Sequence, residues 1–183
     1  MASSITWLPV WSMRIGRLRV NLGVATEARM TSQIQTRLRE LGITLPPPAK
    51  AIGNYVPASI DGNLVCVSQA PIRDGKVLYQ GRIGAEVTLA DVEACARLTA
   101  INILSALHEI LDEDLDRVRQ CLRLGGFLAV TQEFAEHSQV MNAASNLLID
   151  VFGDRGRHAR LTVGCMSLPG NATMILEAFF TVG

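Results

Sequence analysis

The sequence predicts an α+β fold in which a mixed β-sheet carries two long helices packed on one face. Three observations predict it. Two segments, Leu89 to Leu111 and Glu136 to Phe152, repeat apolar residues at helical spacing. Around and between them lie short β-forming runs bounded by Gly, Pro, Asn and Asp. The 183 residues, 49% hydrophobic, suffice for one well-filled core and fall short of two large domains.

Taken in order, residues 1 to 29 stand apart. They hold both tryptophans, Trp7 and Trp11, and Arg14, Arg17, Arg19 and Arg29 against a single acid, Glu27. That bias reads as a poorly ordered extension ahead of a domain spanning residues 30 to 183, with an organellar targeting arm as the alternative. Thr31 or Ser32 can cap a helix through Ile34, Leu38 and Leu41 that stops at Gly42. Pro46, Pro47 and Pro48 then form a stiff connector.

An extended stretch is expected from Tyr55 to Ile60, a turn at Asp61-Gly62-Asn63, and a strand at Leu64 to Ser68. Val77 to Tyr79, beyond the Asp74-Gly75 turn, is read as its neighbouring strand. Thr88 caps the first long helix. Leu115 to Leu124 alternates polar and apolar, which predicts a half-buried strand ending before Gly125-Gly126. Gly153 ends the second long helix. Leu161 to Leu168 and Thr173 to Val182, on either side of Pro169-Gly170-Asn171, read as a terminal hairpin.

Lys plus Arg total 17 and Asp plus Glu total 17, a formal net charge of zero. Neither nucleic acid nor an anionic membrane surface finds the basic field it would reward. No window reaches the roughly 18 apolar residues of a membrane span. Small neutral or locally charged ligands fit better. Cys66, Cys95, Cys121 and Cys165 stand singly in apolar segments, with no C-x-x-C pair and no His at ligand spacing. They read as reduced, buried cysteines of a cytoplasmic protein without a metal site.

Several segments in order resemble a known family. Ala51-Ile52-Gly53-Asn54-Tyr55 is similar to the A-I-G-P-Y opening of RidA/YjgF proteins, and Val67-Ser68-Gln69-Ala70-Pro71 to their S-G-Q-x-P strand end. His158-Ala159-Arg160 with Leu168-Pro169 resembles their P-A-R…L-P pattern, and Glu177-Ala178 the end of their E-x-E-A strand. The resemblance implies a chorismate-mutase-like fold and a homotrimer with clefts between subunits. It also implies hydrolysis of 2-enamino or 2-imino acids to 2-keto acids and ammonia, without a cofactor.

On this resemblance Arg160 is the candidate that grips a substrate carboxylate, since a planar guanidinium can bind it bidentately. Tyr55, Ser68 and Asn142 are the accompanying substrate-binding candidates, and Glu177 is the second catalytic candidate beside Arg160. One departure bears on catalysis. The first Glu of the family's E-x-E-A strand, associated with positioning the hydrolytic water, is Ile175 here. Glu177 lies one pleat further on the same face, about 6 to 7 Å away. The carboxylate-anchoring half of the site is therefore expected intact and the water-activating half replaced. Of the histidines, His108 and His137 read as solvated or capping residues, whereas His158 can share a strand face with Arg160. Three readings follow: a Rid-type deaminase, a non-catalytic trimeric binder of small carboxylates, and an endoribonuclease, which the zero net charge disfavours.

Overall fold

The computed structural model describes residues 32–51 and 53–183. The readings of residues 1 to 29, and of Thr31 as a cap, lie outside them. The first helix, α1 (Gln33–Glu40), starts at Ser32, whose hydroxyl oxygen accepts the Gln35 N–H at 3.1 Å. Asp116, 83 residues away, adds a second cap: its carboxylate accepts the N–H groups of Gln33 and Ile34 at 2.9 and 3.0 Å. Two of the helix's orphan donors are thereby satisfied from a distant segment, a link no local sequence pattern announces.

A hairpin follows, β1 (Ala58–Asp61) and β2 (Leu64–Gln69), joined across Gly62. Tyr55 lies before β1, in a tight turn in which its N–H donates to Gly53 O at 3.0 Å. The expected pairing of Val77 to Tyr79 beside β2 is corrected. Val77 belongs to β4 (Lys76–Val77), which pairs only with β3 (Ile72–Arg73) in a separate two-stranded sheet. The cause is Asn102, buried in the helix α2 (Leu89–Ile110), whose amide donates to Ala70 O and Ile72 O at 2.9 and 2.8 Å. These carbonyls are drawn toward the helix, so the chain leaves the main sheet after Gln69.

Thr88 caps α2 by accepting the Asp91 N–H at 3.2 Å. The strand β5 (Val118–Ala129) starts later than the alternation suggests and runs straight through Gly125-Gly126. The glycines are there because the space is taken. A Cβ on Gly125 would stand 2.7 Å from Cγ and Oε1 of Glu177, and one on Gly126 would meet Met141. Glycine in a strand marks such close approach. Then come α3 (His137–Phe152), β6 (Ala159–Cys165) and β7 (Met174–Val182).

The main sheet has the order β1-β2-β7-β5-β6, antiparallel throughout except for β5 and β6. The terminal hairpin is therefore not formed: β6 crosses over through α3 to lie parallel to β5 at the sheet edge, and β7 inserts centrally between β2 and β5. Burial explains the exchange. Alternate residues of β7, from Met174 to Val182, are buried and those between them half-buried, whereas β6 is mostly exposed. The strand with one face wholly apolar and buried takes the centre, and β6, which carries Arg160 and Thr162 on one face, takes the edge.

The helices α2 and α3 pack on each other and on one sheet face, over Val65, Val67, Leu124, Leu128, Leu176 and Phe180. The other face is uncovered in the single chain and displays Phe127, Leu161 and Val163. All four cysteines are free, but only Cys95 and Cys121 are buried; Cys66 and Cys165 are half-buried, which corrects the expectation of four buried thiols. Burial pushes the Cys95 and Cys121 thiols up to about 12. No helix among the described residues is long and apolar enough to cross a membrane.

Candidate functional site

Arg160 is the second residue of β6 and pairs in register with Leu124 of β5, which is buried beneath the helices. Its side chain accordingly turns toward α3. One guanidinium nitrogen, Nη1, donates to Asn142 Oδ1 at 3.0 Å and to Ser145 Oγ at 3.1 Å; Nη2 donates to the Ser138 carbonyl at 3.2 Å. Residues 138, 142 and 145 occupy one face of α3 at helical spacing, so one helix presents all three acceptors. Arg160 has no carboxylate within ion-pair distance among the described residues. It is exposed yet fixed at three points, with Nε unengaged.

Sequence reasoning names Asn142 but misses Ser145 and Ser138. The signal was available: Ser138, Asn142 and Ser145 are a polar line beside the apolar Val140, Met141, Ala144 and Leu147. Ser145 is almost fully buried and also meets His158, with Oγ and Nε2 3.0 Å apart. The His158 Nδ1 lies 2.6 Å from the Gly156 carbonyl. Gly156 sits tight on α3, since a Cβ there would collide with the backbone of Leu148 and Ile149. Burial pushes the His158 imidazole below its ordinary value, the Gly156 carbonyl raises it, and the Arg160 charge lowers it.

Tyr55 and Ser68 stand elsewhere. They line a cavity of about 300 Å³ together with Lys50, Gln69, Pro169 and Ile175. Ser68 pairs directly with Glu177 of β7, which pairs with Gly125 of β5, which pairs with Leu161 of β6. This row lies on the uncovered face of the sheet. Glu177 leans over Gly125, with Oε1 3.7 Å from Nη2 of Arg123. The structure thus brings Tyr55, Ser68 and Ile175 together, sets Glu177 one pleat along, and leaves Arg160 and Asn142 on the opposite face. Three strand spacings, about 14 Å, separate β2 from β6. Within one chain no small molecule spans the two groups.

A larger cavity of about 560 Å³ lies at the far end of β6, lined by Arg82, Thr131, Phe134, His137, Gly164 and Cys165 among others. It holds none of the residues expected to carry chemistry. Its one guanidinium, Arg82, already faces Glu86 at 3.6 Å, so size alone does not make it the better site. His137 packs edge-on to Phe134 and over Gly164 there, in place of the solvated or capping role expected.

The smaller cavity depends on Asn102, which holds the strand end carrying Ser68. Asn102→Ala leaves two carbonyls without their donor and is expected to cost about 1–3 kcal/mol of stability, read by chemical denaturation. An unchanged midpoint would show that the strand end holds its shape unaided.

The α+β fold, with two long helices on one face of a mixed sheet, agrees with the comparisons. Residues 35–182 match the family model described as "YjgF/chorismate mutase-like, putative endoribonuclease". Among relatives, the chain is 37% identical over 150 residues to Protein TCP17 of Trypanosoma cruzi, covering 81% of this chain and 93% of that protein. Among solved structures, it is similar to protein Atu1372 of Agrobacterium tumefaciens, of unknown function (43% identity, 82% of this chain and 92% of that one, TM-score 0.76). It is also similar to a Shewanella oneidensis protein described as a "putative endoribonuclease" (36% identity, 81% and 99% coverage, TM-score 0.78). The chain belongs to the YjgF/chorismate mutase-like family.

Proposed function

We propose that the protein is a Rid-type hydrolytic deaminase that converts small 2-enamino or 2-imino acids into 2-keto acids and ammonia, in clefts formed between copies of the chain. The observation that carries this reading is Arg160, held by Asn142, Ser145 and Ser138 with no carboxylate among the described residues facing it. A guanidinium fixed by neutral acceptors keeps its full attraction for a ligand carboxylate, and its planar fork orients what it binds. An enamine first tautomerises to the imine; water then adds to C2, one of its protons passing to the nitrogen, and the remaining hydroxyl proton follows as the C–N bond breaks to release ammonia and the ketone.

The open sheet face supports the shared cleft. It exposes Leu161, Val163 and Phe127 beside the Ser68–Glu177 row, an apolar surface a second copy would cover. Packing copies through that face, as a homotrimer, would set the Tyr55 cavity of one chain beside the β6 edge of the next, the edge strand that carries Arg160 on its other face. Four free thiols fit a reducing, cytoplasmic setting. RNA is a poorer ligand, because a net charge of zero provides no field for a polyanion.

A second reading, a non-catalytic binder of small carboxylates, is favoured by one observation: Ile175 lines the cavity where a water-positioning carboxylate would be needed. The assay is ammonia release from a 2-imino acid generated in solution by an amino-acid oxidase. Acceleration over buffer is expected. No acceleration, with 2-keto acid binding retained, would establish the binder instead. The shared cleft has its own test. Arg160→Ala and Ser68→Trp chains are each expected to lose activity, and a co-refolded mixture to regain part of it; a mixture as inactive as its components would place the whole site in one chain.

A further inference from the structure

We infer that His158 is a positioning residue for Arg160, acting through Ser145 as a proton-controlled latch on the guanidinium. The argument is one of hydrogen-bond direction. The Gly156 carbonyl only accepts, so the proton on His158 belongs to Nδ1, 2.6 Å away. Neutral imidazole then offers Nε2 as an acceptor, and the Ser145 hydroxyl donates to it across 3.0 Å. With its hydrogen committed there, Ser145 Oγ presents lone pairs to Arg160 Nη1 at 3.1 Å. The chain of donors runs one way, from Arg160 to Ser145 to His158 to Gly156.

The partners on either side of His158 are anchored in the fold. Gly156 is wedged against the α3 backbone at Leu148 and Ile149, and Ser145 is 8% exposed. Protonation of His158 reverses the middle link. Nε2 becomes a donor aimed at Ser145 Oγ, the hydroxyl hydrogen must swing away, and two cationic groups then compete for one oxygen. The guanidinium then shares the Ser145 oxygen with the imidazolium and gains a like charge as neighbour, which weakens its Ser145 anchor.

Beyond the Gly156 carbonyl, no carboxylate among the described residues pairs with the imidazolium. In the turn before β6, Asp154 is tied to Arg157 at 3.2 Å on the exposed surface, and Arg155 donates to the Asp116 and Val118 carbonyls. On β6 itself the charge acting on His158 is Arg160. From β5, the Cys121 thiol is pushed up to about 12 by burial, and Arg123 pairs with Glu177 on the other sheet face. From α3, Ser145 and Asn142 are neutral. Burial therefore holds the imidazole below its ordinary 6.5. Because the folded value is depressed, the latch and its contribution to stability are complete above about 6.5. Both are lost as pH falls through the lower folded value.

For its ligand arm alone this inference rests on the carboxylate-binding reading of Arg160. The test is nuclear magnetic resonance on the full chain between about pH 5 and 8, following the His158 ring nitrogens and the Arg160 guanidinium. Expected are a neutral Nδ1–H tautomer, and an Arg160 signal whose slow rotation is lost with the same midpoint at which His158 takes up its proton. In parallel, pyruvate affinity is expected to fall about three- to tenfold across that midpoint, the worth of one hydrogen bond. His158→Gln, which can still accept from Ser145, keeps the high-pH affinity and abolishes the midpoint. Ser145→Ala lowers affinity at every pH and abolishes it too. An Arg160 signal indifferent to His158, or a midpoint surviving in His158→Gln, would overturn the latch. If pyruvate fails to bind while the Arg160 signal still tracks His158, the latch stands and the carboxylate reading falls.

Discussion

Arg160→Ala is expected to weaken binding of a 2-keto acid by about 10²-fold, the loss of two charge-assisted hydrogen bonds at about 1.5 kcal/mol each. Arg160→Lys keeps the charge but not the fork, and should recover only part of that affinity. Thermal stability should hardly change, since Arg160 is exposed and its partners Asn142 and Ser138 remain open to water. Calorimetric titration with pyruvate, beside a melting curve, checks both statements. Equal affinity in all three proteins would move the anion site elsewhere, and the first place to look would be Lys50 in the Tyr55 cavity.

The second large effect is a gain. Ile175 is half-buried and shares its cavity with Tyr55 and Ser68, so Ile175→Glu would place a carboxylate among groups able to hydrogen-bond it. General acid/base assistance is worth about 10²–10⁴ in rate, and ammonia release should rise toward that range if only this group is lacking. Glu177 does not already supply it within one chain, because it leans over Gly125 and faces Arg123 at 3.7 Å. A folded Ile175→Glu protein that binds pyruvate but releases no more ammonia than wild type would favour the binding module. The reverse experiment, Glu177→Gln, asks whether that residue contributes from a neighbouring copy; a fall in wild-type activity would show that it does.

The elements with a strong local period were legible. Leu89 to Leu111 and Glu136 to Phe152 form helices with ends at Thr88 and Gly153 as read, because a 3.6-residue stripe, a capping hydroxyl and a glycine act within a few residues of one another. What failed was pairing. Leu161 to Leu168 and Thr173 to Val182 look like a hairpin, yet β6 lies parallel to β5 and β7 lies between β2 and β5. A turn signal at Pro169-Gly170-Asn171 states that the chain reverses and leaves open which strand it joins. The glycines at 125 and 126, read as a strand's end, are instead where Glu177 and Met141 come close, neighbours that only the assembled sheet supplies.

The site divides in the same way. Which residues could carry chemistry was proposed from residue type and motif: Arg160 for a carboxylate, Ile175 in place of the family's acid, His158 as a residue able to share a strand face with Arg160. Tertiary structure alone decided that Arg160 and Ser68 lie on opposite faces of the sheet, that Ser145 joins Arg160 to His158, and that Asn102 bends the strand end around the cavity. The physical reason is range. Periodicity, capping and motif chemistry act over a few residues along the chain. The face a side chain meets and the partner that satisfies it are set by strand order and register, which the whole core chooses at once.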